Sequence, residues 1–306
     1  MAVPLFMIIS GYVGAMSYYK KETYALGQCF TIKNIISKCV RFLIPFIITY
    51  FIEIIVEFFI LKNHSLIDLM IMLFTGGKGP GSYYFPVMIQ FVFIFPLIYF
   101  CILRKGFPGL LLMFLINAAY EFIQSIYGLG ESCYRLLVFR YIFVIAFGCY
   151  IYLYGNETIK KIYRVLSFII GVCFIILVEY SSYNPKIIIY WTRTSFVACL
   201  YILPIAYNLL RKGSKFHCVP FEMLGKASFN IFLTQMVYYM YAANILYSYI
   251  SNMYLRIIIN IFICCVFGII FYYVESFITK KIIKRIQASD CILSDRINKI
   301  FIKKTV

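Results

Sequence analysis

The sequence predicts an all-α fold, a polytopic transmembrane helix bundle of about nine helices. Three observations predict it. Of 306 residues, 63% are hydrophobic and only 13% charged, about half the charged share of ~25% that soluble domains carry. The apolar residues gather in stretches close to the roughly 20 residues that a spanning helix needs. Finally, 22 of the 29 Lys and Arg residues fall in every second connection between those stretches, as expected where cytoplasmic loops retain positive charge. The net charge of +17 therefore points to membrane lipid and not to nucleic acid as its counterpart.

In chain order the apolar stretches are Met1 to Tyr18, Phe42 to Leu61, Tyr84 to Leu103, Phe107 to Tyr127, Leu136 to Tyr154, Val165 to Tyr180, Ile187 to Leu210, Ser228 to Ile250 and Ile257 to Ile278. The first connection holds Lys20, Lys21, Lys33, Lys38 and Arg41; Arg104 and Lys105, then Lys160, Lys161 and Arg164, then Arg211, Lys212, Lys215 and Lys226 mark the later basic ones. Eight more basic residues follow Phe277. The intervening connections contain only Lys62, Lys78, Arg135, Lys186 and Arg256, so the carboxyl terminus is expected in the cytoplasm and the amino terminus outside.

Two connections have character of their own. ALGQCFTIKNIISKCVRF reads as a basic amphipathic helix at the headgroup level, with Lys38 and Arg41 one turn apart. In the outer connection, Leu66 to Phe74 is apolar but too short to span, so it is placed at the interface or partway into the bilayer, followed by a TGGKGPG turn. No repeat and no linker divides the chain, so residues 1–306 read as one transmembrane domain with a basic cytoplasmic tail at about 279–306 that anchors to lipid. The cysteines show no CxxC spacing and the two histidines, His64 and His217, lie singly in connections, which indicates neither disulfides nor a metal site.

Charges inside the apolar stretches carry the most information, because each costs roughly 2.5 to 3.5 kcal/mol at a helix centre unless it is paired or hydrated. Glu53 and Glu57 lie four residues apart in FIEIIVEFF, on one helical face. They are read as lining a polar interior with an arginine such as Arg140 or Arg193 nearby, either as a substrate-facing group or as an interhelical ion pair. Glu121 is a further interior candidate, whereas Glu179 and Glu275 sit near the ends of their stretches and are expected to be solvated. Ser10 and Gly11 favour close helix packing.

Four segments resemble, in order, the acyltransferase 3 family of integral-membrane enzymes that put acyl groups on cell-surface glycans. VPLFMIISGY resembles its second membrane helix. KCVRFLIPFIITY is similar to its basic, proline-containing entry to the next helix, with Lys38, Arg41 and Pro45 in those places. GSYYFPVMIQFVFIFPLIY is similar to the segment in which an aromatic pair precedes a helix ending in Phe-Pro-Leu, with Tyr84 where Trp is common. LGKASFNIFLTQ is similar to the late Gly-Lys-x-Ser-Phe signature, with Gln235 at the position of its histidine. Family members usually have ten helices, the first bearing an arginine and the histidine taken as catalytic base; this chain corresponds to ten minus the first.

The resemblance implies a multi-pass protein of the cell membrane that moves an acyl group, most often acetyl, from acyl-CoA (acetyl-CoA) in the cytoplasm to a hydroxyl of a lipid-linked or cell-surface glycan. No bound cofactor is implied. Donor phosphates would meet Lys38 and Arg41, which equally serve as membrane anchors. Asn230 and Gln235 would hydrogen-bond the acceptor or bridge helices. With no histidine in a membrane stretch, the catalytic group is open, Glu53 and Glu57 being the available carboxylates. The chain alone is therefore expected to be catalytically silent, and the DNA before Met1 to encode, in frame, about 20 to 40 residues forming one more helix with an arginine and a histidine. A glycan or lipid exporter using the same polar interior is the alternative; it would act without a thioester.

Overall fold

A computed structural model describes residues 2–60, 65–127, 130–155, 160–181, 196–213 and 218–303. The elements are α1 (Ala2–Tyr19), α2 (Leu26–Cys29), α3 (Ile32–Ile55) with a π-helical turn at Val56–Ile60, α4 (Leu66–Thr75), α5 (Tyr84–Lys105), α6 (Phe107–Tyr127), α7 (Glu131–Leu136), a 3₁₀ turn at Val138–Tyr141, α8 (Ile142–Tyr154), α9 (Lys161–Ser181), a 3₁₀ turn at Phe196–Cys199, α10 (Ile202–Gly213), α11 (Val219–Tyr241), α12 (Ala243–Tyr249) and α13 (Met253–Lys303). No strand occurs among the described residues, and the fold is an all-α polytopic bundle. Among the described residues, five helices are long and apolar enough to cross a membrane: Leu26–Ile60, Tyr84–Lys105, Phe107–Gln124, Lys161–Ser181 and Met253–Ile286. Val3–Tyr19 and Val138–Tyr154 are shorter apolar helices.

Several boundaries differ from the sequence expectation for local physical reasons. The basic stretch before Phe42 does not form a separate surface helix beyond the one turn of α2; it supplies the first turns of α3, which runs unbroken through Pro45. The Thr49 hydroxyl donates to the Pro45 and Phe46 carbonyls, at 3.2 and 2.9 Å, within that stretch. The helix expected from Ser228 begins at Val219, because Pro220 stands in its first turn, where a missing N–H costs nothing. It ends at Tyr241, and the remaining residues to Tyr249 form α12. The tail continues α13 as helix to Lys303. Of the stretch Ile187 to Leu210, residues 187–195 lie outside the described residues.

The chain divides into two compact units. The first comprises residues 1–30 and 90–217. Its centre is α8, buried continuously from Ile142 to Ile151, as a helix apolar on every side must be. Helix α1 packs on it backbone to backbone: a Cβ on Gly11 would collide with the carbonyl of Ile145, and one on Gly148 with that of Ile8. This is the small-residue contact expected for Gly11. Tyr18 stacks on Phe95 and Tyr99, with ring centroids 5.7 and 5.2 Å apart. Two amides close the turns before α8. Gln90 donates to the Leu136 carbonyl at 2.8 Å and accepts from Val138 N–H at 3.0 Å; Asn117 accepts from Phe143 N–H at 3.2 Å.

The second unit comprises residues 31–89 and 218–306. Phe46, Phe85, Leu233 and Met236 form its core, the Phe46 and Phe85 rings stacked 3.6 Å apart. Helix α4 is capped at its start by Ser65, whose hydroxyl accepts from Asp68 N–H at 3.3 Å, and at its end by Gly76 in the left-handed region. The Tyr50 hydroxyl ties it to α3 by donating to the Leu69 carbonyl at 2.8 Å. Leu66, Ile67 and Phe74 remain exposed, which suits the shallow placement expected of this segment.

Replacing Gly148 with valine should separate α1 from α8 and destabilise the first unit by about 2 kcal/mol or more, since the collision is with backbone and not with a flexible side chain. Fluorescence-detected size exclusion after a heating series checks it; wild-type behaviour of G148V would show that the two backbones are not in contact.

Candidate functional site

Glu57 lies in the π-helical turn that ends the α3 segment and is 2% exposed. Such turns rotate side chains off the α-helical register, and they concentrate at functional sites. One of its oxygens receives the Lys78 ammonium at 2.7 Å; the other accepts from the Tyr241 hydroxyl at 2.9 Å. Three separate pieces of the second unit therefore converge on a single carboxylate: the end of the α3 segment, the turn after α4 and the last residue of α11.

Glu53, one helical turn earlier, is 0% exposed. Neither of its oxygens makes a hydrogen bond of full geometry; the favourable groups acting on it are the backbone N–H and side-chain charge of Lys78. The glycine-rich turn meets this carboxylate with bare backbone. Gly77, at φ 113°, would place a Cβ 2.8 Å from a Glu53 oxygen and 2.8 Å from the Met236 methyl, and a Cβ on Gly79 would collide with the Met236 backbone. Two carboxylates thus lie beside one ammonium, which pairs with Glu57 and acts on Glu53 through its charge, and the enclosed Glu53 oxygens keep acceptor capacity for a hydroxyl, amine or cation.

Among the described residues of the second unit, the cation beside the glutamates is Lys78, where the sequence suggested an arginine. Arg140, 5% exposed, belongs to the first unit, where its guanidinium lies 4.7 Å from the ring centres of Tyr134 and Tyr141. Tyr134 donates to Glu121 at 2.5 Å and stacks on Tyr120; burial first, and the Glu121 charge second, push the Tyr134 phenol well above its usual range. Arg193 lies outside the described residues. Glu275, expected to be solvated, is instead buried: it accepts from Asn230 at 3.3 Å and from the Thr279 hydroxyl. Asn230 therefore bridges α11 to α13. Gln235 is exposed on the same helix and does not share that network. Lys38 is half-buried and Arg41 exposed in the opening turns of α3.

Sequence reasoning missed Lys78 and Tyr241. A signal for the first existed, a lone lysine flanked by glycines in a connection otherwise poor in cations; for a tyrosine 184 residues from its partner there was none.

A bundle of apolar helices around a buried, hydrogen-bonding polar centre defines a membrane-embedded enzyme or transporter, and comparison with known families decides between them. Residues 1–292 match the family model of acyltransferase 3, described as an acyltransferase domain. The chain belongs to that family, and its class is that of the membrane acyltransferases. No curated protein and no solved structure matches it.

Lys78→Gln should leave Glu57 buried without its ammonium partner, Tyr241 still donating to it, and cost about 2 to 3 kcal/mol, below the full value for a buried pair because the Lys78 side chain is 29% exposed. In thermal unfolding, the K78Q/E57Q double variant should be more stable than K78Q alone; equal or additive losses would show that the pair is not coupled.

Proposed function

We propose that the protein transfers an acyl group, most simply acetyl, from acyl-CoA on the cytoplasmic side to a hydroxyl of a cell-surface or lipid-linked glycan. In this reading the carboxyl terminus is cytoplasmic and the basic start of α3 faces the donor. Lys38 and Arg41 hold its phosphates, for which charged donors in the first turns of a helix are well suited. Glu53 lies 12 residues beyond Arg41, about 18 Å along the helix, a span that an extended phosphopantetheine arm covers.

The observation that carries the reading is Glu53, a carboxylate with no exposure and no complete hydrogen bond in a chain of an acyltransferase family. The acceptor hydroxyl takes the place beside it and gives up its proton to the Glu53 carboxylate. Its oxygen forms the new ester bond to the thioester carbonyl carbon, the carbon–sulfur bond breaks, and the departing coenzyme A thiolate takes up the proton held by Glu53, which restores the carboxylate. Lys78 and Tyr241 hold Glu57 in place, keep the site cationic on one side and fix the direction from which the hydroxyl arrives. A positioned base of this kind is worth about 10² to 10⁴ in rate.

With Glu53 taking the part of the base, membranes carrying the full chain, supplied with labelled acetyl-CoA, should label an extracted glycan or lipid-linked glycan, in place of the silence expected from the lack of a histidine in the membrane stretches. Glu53→Gln should lower that labelling at least about 100-fold with folded yield unchanged, since Glu57 keeps its partners. Undiminished labelling by E53Q would place the base elsewhere, and glycan appearing outside without any thioester requirement would replace transfer by export. Arg41→Ala should raise the acetyl-CoA concentration for half-maximal rate about fivefold, equivalent to about 1 kcal/mol for one charge near a surface. An unchanged requirement would leave Arg41 as a membrane anchor.

A further inference from the structure

The first unit contains a cleft of about 630 Å³, remote in function from the glutamate pair of the second. Its walls are the apolar side chains of Phe107, Leu110 and Phe114 from α6, Phe143 and Phe147 from α8, and Leu203 from α10. This size is within the range of roughly 300 to 1,000 Å³ typical of small-molecule sites. One end differs in chemistry. Lys160 and Arg164 line it, and among the described residues neither pairs with a carboxylate.

Arg164 is held in a fixed pose. One of its terminal nitrogens donates to Asn208 at 3.1 Å, and its guanidinium lies 5.3 Å from the centre of the Tyr207 ring. Its Nε is buried and makes no hydrogen bond. A guanidinium fixed in this way, sharing the lining with Lys160, offers its remaining N–H groups to an anionic oxygen. The lip of the cleft is apolar and open: Phe107 is 64% and Tyr163 60% exposed. In a chain that spans a membrane, such side chains face hydrocarbon and not water.

We infer that this cleft binds an anionic phospholipid of the surrounding bilayer, its phosphate on Arg164 and Lys160 and one acyl chain laid along the α6, α8 and α10 walls. The charge at one end selects an acidic head group, and the open apolar lip lets the chain enter sideways from the membrane. A basic pocket between membrane helices that takes acidic lipid is physically sound because each cation near the surface contributes to holding the head group. The inference does not depend on the acyl transfer proposed above.

The test uses the full chain, purified in detergent and titrated with phosphatidylglycerol or phosphatidylcholine, with bound lipid counted by native mass spectrometry. Phosphatidylglycerol should be retained in preference to phosphatidylcholine. Arg164→Gln and Lys160→Gln should each weaken its retention about fivefold, whereas Lys161→Gln, which does not line the cleft, should leave it unchanged. Leu110→Trp, which fills the cleft, should displace the lipid while the protein still elutes as a folded species. Equal retention of phosphatidylcholine, indifference to R164Q and K160Q, displacement of the lipid by inorganic phosphate alone, or stronger binding of palmitoyl-CoA than of phosphatidylglycerol would each overturn the assignment. If the unmutated chain gives no labelling from acetyl-CoA yet retains phosphatidylglycerol, the enzymatic reading fails and this one stands.

Discussion

The ion pair between Glu57 and Lys78, with Tyr241 on the carboxylate's other oxygen, governs the second unit. A bare carboxylate at membrane depth is costly, so the chain must bring it a partner, and every irregular element nearby follows from that need. The turn after α4 approaches closely enough to deliver Lys78 because glycines at positions 77 and 79 leave no side chain in the way. Helix α4 is short, capped at both ends and bonded to Tyr50, which fixes the start of that turn. What the arrangement leaves over is Glu53, enclosed but incompletely served, and that remainder is the chemistry of the site.

The first unit is organised on a different principle. Its centre is apolar and its tightest contact is between the backbones of α1 and α8, where two glycines face two carbonyls. Polar groups there act mainly as fasteners: Gln90 and Asn117 satisfy the backbone of the turns entering α8, in an environment where water cannot. The Glu121, Tyr134 and Arg140 group joins the end of α6 to the same turns. One unit thus supplies tight backbone packing and an apolar cleft, the other a buried polar centre.

The helices were legible in the sequence wherever apolar length alone decides them. Phe107–Tyr127 coincides with its apolar stretch, and Tyr84–Lys105 extends its own by two residues. Boundaries failed where a single residue overrides the average: Pro220 moves the start of α11 nine residues upstream of Ser228, and the break at Ala242 cuts off α12. The glutamate pair was visible because four-residue spacing on a helix is a local property. Its partners were not, since hydrogen bonds over 21 and 184 residues are properties of the folded chain. Glu275 misled for a related reason. Its place near the end of an apolar stretch suggested water, while Asn230 and Thr279 supply it with donors from inside.

Those sequence separations bear on how the protein is made. Synthesis proceeds from the amino terminus, so α3 enters the bilayer while Tyr241, 184 residues beyond Glu57, has yet to be made. During that interval the helix carries two acidic side chains without their full set of final companions, an insertion penalty of up to roughly 5 to 7 kcal/mol on scales measured at the helix centre. The surrounding residues run Phe-Ile-x-Ile-Ile-Val-x-Phe-Phe-Ile, and each of these favours insertion by about 0.3 to 0.6 kcal/mol. Over its eight residues the apolar run around the glutamates thereby offsets about 2.4 to 4.8 kcal/mol of that penalty in the nascent chain, and the apolar turns of α3 before it must supply the rest.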